Sequence, residues 1–360
     1  MSALESALQL VTDVEDIDGG IPSIEELVAL AAPVLRRRAL TRAIRDAVTD
    51  HGKGKSLLAR AREIEAAERI GHETSVGSTA LTNSVWTAIE DLRRVDRLKT
   101  GIDALDQALG GGFTARSLVT LAAATNVGKT AMLVHVACYA WLCGRRVIFL
   151  PTEEGVSNTL TRIVSWISGI PIDRVALSDP LAKQRFADRL AQYNSGSLFV
   201  EYLPQGSTVG QLRRLVTKIQ DDHEALRDGY DVLIVDYADK MDAPGEKAYD
   251  KMKVVYEGLR QLAVDHNNWT ITASQVKQIQ DKDRVRPDVN DLSDSSWKGR
   301  TSDAVITIYR DPNDIHARSF YVAKNRGPGV GAEIGPVPSQ LERARIVPLL
   351  AGLFDEDDDP

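Results

Sequence analysis

The stretch Ala123-Ala124-Thr125-Asn126-Val127-Gly128-Lys129-Thr130 decides the fold. It reads as a phosphate-binding loop of the pattern Gly-x-x-x-x-Gly-Lys-Ser/Thr, with Ala123 where the first glycine belongs. Leu118-Val119-Thr120-Leu121 before it is a short apolar, β-prone run, and Ala131-Met132-Leu133-Val134 after it opens a helical pattern. Strand, tight loop and helix N-terminus together aim backbone N–H groups and the positive end of a helix dipole at one point, which suits a polyphosphate. Ala124, Thr125, Asn126, Val127, Gly128, Lys129 and Thr130 are therefore the candidate nucleotide-binding residues. Lys129 supplies a mobile cation for the β- and γ-phosphates, and the Thr130 hydroxyl can ligate Mg²⁺. The bland alternative is a glycine-containing turn between strand and helix.

Working outward, apolar runs alternate with helical stretches from Thr100 onward: 118–122, 146–150, 198–203, 231–236, 269–273, 304–309 and 319–323. Strands alternating with helices predict an α/β core with a mostly parallel sheet covered on both faces. Upstream, 1–22 is acidic and expected to be loosely ordered, and 23–70 reads as a helical hairpin. Its first helix starts at Ser23 with Glu26 completing a capping box, and the break falls at Gly52-Lys53-Gly54. Residues 71–99 read as a Gly/Ser/Thr-rich linker with a short helix from Val85 to Leu98, 100–350 as the core, and 351–360 as an acidic, disordered tail. A second Gly-Lys-Ser, at Gly54-Lys55-Ser56, follows a charged helix end and has Thr49 in the first-glycine place, so it reads as a solvated turn.

The 360 residues hold one large or two modest domains, and 43% hydrophobic content is enough for a real core. A formal net charge of −7 argues against duplex binding through overall charge, though it leaves room for a locally basic channel. No apolar run is long enough to cross a membrane, and Met1-Ser2-Ala3-Leu4-Glu5 does not open a signal peptide. Cys138 and Cys143 suit neither a metal knuckle nor a redox pair and are expected as two buried thiols. The compartment implied is a reducing cytoplasm.

Phosphate loops only bind; hydrolysis also needs a metal-holding acid, a group that orients water and a sensor of the γ-phosphate. Candidates stand at the C-terminal ends of expected strands, where open α/β sheets place their ligands. Asp231-Val232-Leu233-Ile234-Val235-Asp236 ends in a carboxylate that can hold Mg²⁺ through its water shell. Val147-Ile148-Phe149-Leu150-Pro151-Thr152-Glu153-Glu154 ends in two carboxylates, either of which can polarise a water; spacing does not choose between them. Gln275, after Thr270-Ile271-Thr272-Ala273-Ser274, can hydrogen-bond the γ-phosphate. Lys324-Asn325-Arg326 precedes Gly327-Pro328-Gly329 and reads either as a solvated hairpin or as cationic fingers reaching a phosphate on an adjacent subunit.

In this order the motifs resemble the DnaB family of hexameric replicative helicases, over about Thr100 to Gly331. Thr100-Gly101-Ile102-Asp103-Ala104-Leu105-Asp106 is similar to the start of that family's ATPase core, and alanine is common at its first loop position, as at Ala123. Asp236-Tyr237, Ser274-Gln275, and Asp291-Leu292-Ser293-Asp294-Ser295-Ser296 followed by Tyr309-Arg310-Asp311 match its motifs. The resemblance implies a RecA-like P-loop ATPase core preceded by a small helical region, with ATP and Mg²⁺ as cofactors. It picks Glu153 as the catalytic glutamate beside Lys129 and Gln275, assigns the metal to Thr130 and Asp236, and makes Lys324 and Arg326 a pair acting in trans. It also implies a ring of six that passes single-stranded DNA 5′ to 3′, with the segment around Ser293 to Arg300 and the loop Met241 to Lys251 in the channel, and with primase, loader or polymerase as possible partners.

The family usually has Arg and Gly where this chain has Ser293 and Ser296. Candidate DNA contacts are therefore Ser293, Asp294, Ser296, Lys298 and Arg300, the last two either compensating for the missing arginine or serving as ordinary surface charges. A shortened N-terminal collar resembles a phage or mobile-element version. Two other readings share parts of the pattern: a recombination or branch-migration ATPase resembling RadA, which also has Lys-Asn-Arg, and a KaiC-like ATP-driven assembly switch. The acidic tail either docks a basic replication partner or is merely solvated.

Overall fold

A computed structural model describes residues 96–193, 195–277, 286–293 and 296–346. Contacts divide the chain after Arg94, and the described residues lie in the second unit. The expected hairpin 23–70, most of the linker, the tail and Asp294 fall outside the described residues.

All seven expected strands are present. They are β3 (Ser117–Ala123), β4 (Arg146–Pro151), β5 (Ser197–Val200), β6 (Val232–Asp236), β7 (Trp269–Gln275), β8 (Ala304–Arg310) and β9 (Ala317–Asn325). Two short strands, β1 (Arg97–Leu98) and β2 (Phe113–Thr114), pair with each other before them; β10 (Glu333–Gln340) and β11 (Arg345–Ile346) follow. The main sheet has the order β11-β10-β9-β8-β3-β7-β6-β4-β5. Pairing is parallel from β8 through β5 and antiparallel from β8 outward through β11.

The period-two alternation of a strand divides the core between the two faces of this sheet. Val119, Leu121, Val147, Phe149, Val232 and Ile234 pack on one side with the helices Lys129–Leu142 and Val156–Ser168. Leu118, Ile148, Leu150, Leu233 and Val235 pack on the other with Val209–Asp222 and Ala248–Asp265. The helix Lys129–Leu142 is buried along nearly its whole length, which is why its sequence is apolar all round rather than striped.

Two expectations change. The helix drawn through Leu98 gives way to strand at Arg97–Leu98, because Leu98 is buried against its β2 partner Phe113. Cys138 is buried as expected, and burial pushes its thiol up, but Cys143 caps the end of the helix Lys129–Leu142 and is exposed.

Asp106 closes the start of the core. Its carboxylate accepts the Thr100 N–H (2.7 Å), the Thr100 hydroxyl (2.8 Å) and the Gly101 N–H (3.2 Å), all buried. Gly101 has φ +85°, and a Cβ there would lie 2.8 Å from the Tyr139 ring, so no side chain is tolerated. Replacing Asp106 by Ala strands these donors in a dry site. The expected cost is about 1–3 kcal/mol, measured by urea unfolding; a change under about 0.5 kcal/mol would contradict the role given to this carboxylate.

Candidate active site

Parallel register gathers the site. Ala123 ends β3 level with Gln275 of β7, and Pro151 ends β4 level with Asp236 of β6. Ala123 is an extended strand residue, not among those with positive φ, so the first glycine of the loop pattern is dispensable here. Gly128 is different. Its φ of +118° strains any side chain, and a Cβ there would also sit tightly, 3.1 Å from the Leu341 side chain. The helix that follows has no side chain capping its N-terminus, so its first N–H groups stay directed at a ligand.

The ends of β3, β4, β6 and β7 surround a cleft of about 480 Å³. Thr125, Asn126, Gly128, Lys129 and Thr130 line it, with Glu153, Glu154, Asp236 and Gln275. Val127 is buried and Ala124 is an exposed loop residue; neither lines the cleft, and both shape the loop through their carbonyls. Lys129 donates to the carbonyls of Ala123 and Ala124, each at 3.1 Å. Burial lowers its pKa, while the carboxylates of Asp236, Asp239 and Glu153 act the other way.

Thr130 and Asp236, the two expected metal ligands, are hydrogen-bonded to each other. Burial pushes the Asp236 carboxyl up to about 6; the Thr130 bond opposes this and the Glu154 charge adds to it. Among the described residues no group of three or more His, Cys, Asp or Glu side chains is gathered for a metal. A hard cation held by Thr130 and Asp236 would therefore take its remaining oxygens from phosphate and water, as Mg²⁺ commonly does. The uncapped helix terminus, the desolvated lysine and the Thr130 hydroxyl beside the buried Asp236 carboxylate fit Mg²⁺–ATP.

The two carboxylates after β4 are not equivalent. Glu154 is clamped by Arg162 through Nε (3.1 Å) and a terminal nitrogen (2.9 Å). Glu153 is half exposed, with the Lys240 ammonium 3.5 Å away. Gln275 is held on three sides: its side-chain nitrogen donates to the Tyr237 hydroxyl (3.2 Å), its backbone N–H meets Asp239 (3.3 Å), and its carbonyl accepts from the Ser293 N–H (2.9 Å). The peptide between Asp236 and Tyr237 is cis.

Lys324 and Arg326 are not in this cleft. Asn325 is level with Ala304 at the start of β8, which is level with Val119, and four residues of β3, about 13 Å at roughly 3.3 Å each, separate that row from Ala123. The Lys324 ammonium rests on the carbonyls of Gly299, Arg300 and Ser302 (2.6–2.8 Å), and Arg326 pairs with Asp303 at 2.8 Å. Neither reaches the cleft of its own chain.

The expected DNA contacts change most. Lys298 is fully buried, 2.8 Å from the Asp239 carboxylate, and cannot meet a strand from this position. Ser293 turns its hydroxyl to the Gln275 carbonyl. Ser296 begins the helix Ser296–Thr301; its side chain lies outside the described residues. Arg300 is exposed, 5.5 Å over the Trp297 ring. The expected loop Met241 to Lys251 is shorter than drawn, because the helix Ala248–Asp265 starts inside it.

Four residues at the cleft escaped sequence reasoning. Arg162 and Leu341 line it; Arg318 donates to the Val127 carbonyl at 2.7 Å, and Arg310 to the Asn126 carbonyl at 3.3 Å. An arginine six residues into the helix Val156–Ser168 is the one signal that pointed at Glu154. Arg310 stands in the motif Tyr309-Arg310-Asp311, which gave it no role at the loop; nothing local marks Leu341 or Arg318.

Comparison with known proteins agrees with this geometry. The model of the DnaB-like helicase C terminal domain matches residues 97–334. The chain is 22% identical to the replicative DNA helicase DnaC of Bacillus subtilis over 82% of this chain and 68% of that protein. It is 25% identical to the DNA repair protein RadA of Mycobacterium tuberculosis, over 41% of this chain and 30% of that one. The structure of a DnaB-like replicative helicase, described with its interactions with primase, superposes with a TM-score of 0.62 at 16% identity, over 94% of this chain and 83% of that chain. No helix among the described residues is long and apolar enough to cross a membrane. With the matching model spanning most of the chain, and with the fold and the cleft in agreement, the chain belongs to the DnaB-like helicase C-terminal domain family and carries the ATPase core of a replicative DNA helicase.

Proposed function

We propose that this chain is the motor of a ring-shaped helicase that hydrolyses ATP to move 5′ to 3′ along single-stranded DNA. The observation that carries the reading is the split site. Lys129, Thr130, Asp236, Glu153 and Gln275 converge on one cleft, while Lys324 and Arg326 stand at the opposite edge of the same sheet. Such a chain needs a second copy to complete its site, and a closed ring of copies, here a hexamer, satisfies every site at once.

In this reading the loop N–H groups and Lys129 hold the β- and γ-phosphates. Thr130 and Asp236 hold Mg²⁺, which when bound neutralises phosphate charge. Glu153, free of the guanidinium clamp that occupies Glu154, accepts the proton of the attacking water. Gln275 hydrogen-bonds the γ-phosphate and is displaced when it leaves. Lys324 and Arg326 of the neighbouring copy stabilise the charge that develops on the transferred group. The channel presents Arg300 and backbone groups of its segment to phosphates, a grip that ignores sequence. Docking to primase, loader or polymerase belongs to the same reading, primase on the strength of the related helicase described with it.

Unwinding of a forked duplex with a 5′ overhang tests this directly. Directional, ATP-dependent unwinding is expected; a hexameric, ATP-hydrolysing sample that stimulates strand exchange but does not unwind would point to the RadA-like reading. Glu153→Gln should keep nucleotide binding and lower turnover by roughly 10²–10⁴-fold. Unchanged turnover with ATP-dependent assembly would favour the assembly switch.

The Asp236 carboxyl gives a pH test. In the apo protein it takes up a proton as pH falls through about 6, whereas in the unfolded chain it does so near 4. Its contribution to apo stability is therefore greatest in acid and is lost as pH rises through about 6, while Mg²⁺ competes with the proton. The gain in nucleotide affinity from Mg²⁺ over EDTA should shrink below about pH 6, by up to roughly tenfold per unit. In Asp236→Asn the part of this loss that the carboxyl causes should vanish, leaving only the part set by the nucleotide's own terminal phosphate; identical pH profiles for the two proteins would contradict the assignment.

A further inference from the structure

Lys298 is an ammonium with no exposure, in the short helix Ser296–Thr301 within the expected DNA segment. Its Nζ lies 2.8 Å from Asp239 Oδ2, 3.2 Å from the Ser274 hydroxyl and 6.0 Å from the Tyr256 ring centre. Asp239 stands in the turn just after β6. It also accepts from the Tyr256 hydroxyl (3.0 Å), the Ser274 hydroxyl (2.9 Å) and the Gln275 N–H (3.3 Å). Gln275 faces the cleft, and its carbonyl accepts from the Ser293 N–H. A continuous series of buried and part-buried polar contacts thus runs from the cleft, through Gln275 and Asp239, to the helix that carries Arg300. The far end of that helix offers its carbonyls to Lys324.

A buried ion pair is a poor device for stability alone, since an apolar pair of similar volume often packs as well or better. Its geometry is directional, however, and a network with each group satisfied has few alternative arrangements. Such an element responds to displacement by switching partners rather than by yielding gradually.

We propose that the Lys298–Asp239 pair couples the nucleotide state of the cleft to the helix Ser296–Thr301 and to DNA held at its exposed Arg300. Both are positioning residues: neither touches nucleotide or DNA, and each acts through Gln275 and the helix Ser296–Thr301. The inference rests on the helicase reading. Movement of Gln275 with the γ-phosphate shifts the Asp239 carboxylate, and Lys298 carries the shift to the helix. By reciprocity, DNA bound at the segment alters the setting of Gln275.

The test uses the full chain and a single-stranded oligonucleotide. Two ratios are measured: ATP turnover with and without DNA, and DNA affinity with a non-hydrolysable ATP analogue against ADP. The variant is the double change Asp239→Asn with Lys298→Met, which leaves no uncompensated buried charge. Coupling between sites commonly amounts to about 5–150-fold. In the variant both ratios should fall toward one; general loosening of the fold would lower turnover with and without DNA alike and leave the ratios in place. A folded, correctly assembled double variant with wild-type ratios would overturn the proposal. Should the double variant fail to fold, Lys298→Met alone carries the test, since the Asp239 carboxylate still accepts from Ser274, Tyr256 and Gln275 while the charge pair is gone; the same fall is expected, and unchanged ratios would overturn the proposal equally. If wild-type turnover itself is indifferent to DNA, the helicase reading fails and this inference falls with it, an outcome distinct from a wild type that responds and a variant that responds alike.

Discussion

Parallel pairing of β3 with β7, β7 with β6 and β6 with β4 puts the C-terminal ends of four strands on one edge of the sheet. Asp236, Gln275 and the two glutamates after β4 inherit their positions from that edge. A slip of one residue in any of these strands would turn its whole apolar set from one core to the other, so the division of the core between the two faces also fixes the register. Packing energy spread over the sheet thereby holds a few side chains at the cleft in place, and the loop between β3 and its helix needs only two residues with positive φ, Asn126 and Gly128, to make the turn.

The antiparallel extension plays a different part. β8 and β9 bring Arg310 and Arg318 to the carbonyls of Asn126 and Val127, bracing the outer side of the phosphate loop. Running back along β8, β9 then delivers Lys324 and Arg326 to the opposite edge. One strand therefore supports the site of its own chain at its start and presents the cationic pair at its end. The Arg326–Asp303 pair holds an exposed guanidinium on a buried carboxylate that also accepts the Leu118 N–H and faces Arg260. Arg326 is thus kept in a defined place with its guanidinium more than half exposed.

What was legible in the sequence follows from these constraints. Strands buried on both faces must be apolar runs, and their polar ends stand out, so β3, β4, β6 and β7 and the residues after them could be read directly. β10 could not: Gly335, Pro336 and Pro338 are signals against a strand, and it forms because its position near the sheet edge tolerates missing donors. Lys298 misled for a related reason. A lysine beside Trp297, Gly299 and Arg300 has the look of a surface residue, and its partner Asp239 lies far away in the chain. The bracing arginines are equally opaque, since Arg318 and Val127 stand 191 residues apart. Sequence shows what each residue type can do at a strand end; it does not show which charges the tertiary fold has already paired.

The central claim is that a working site is assembled from two copies of this chain, the phosphate loop of one and the Lys324/Arg326 element of the next. Mixing two inactive variants tests it most directly. Lys129→Ala removes the loop's cation and Arg326→Ala removes the trans-acting one; each alone should assemble and fail to hydrolyse ATP. Mixed rings contain interfaces in which an intact loop meets an intact Arg326, so mixing should restore ATP turnover in proportion to those interfaces. Mixed assemblies verified by mass that remain as inactive as either parent would contradict the account.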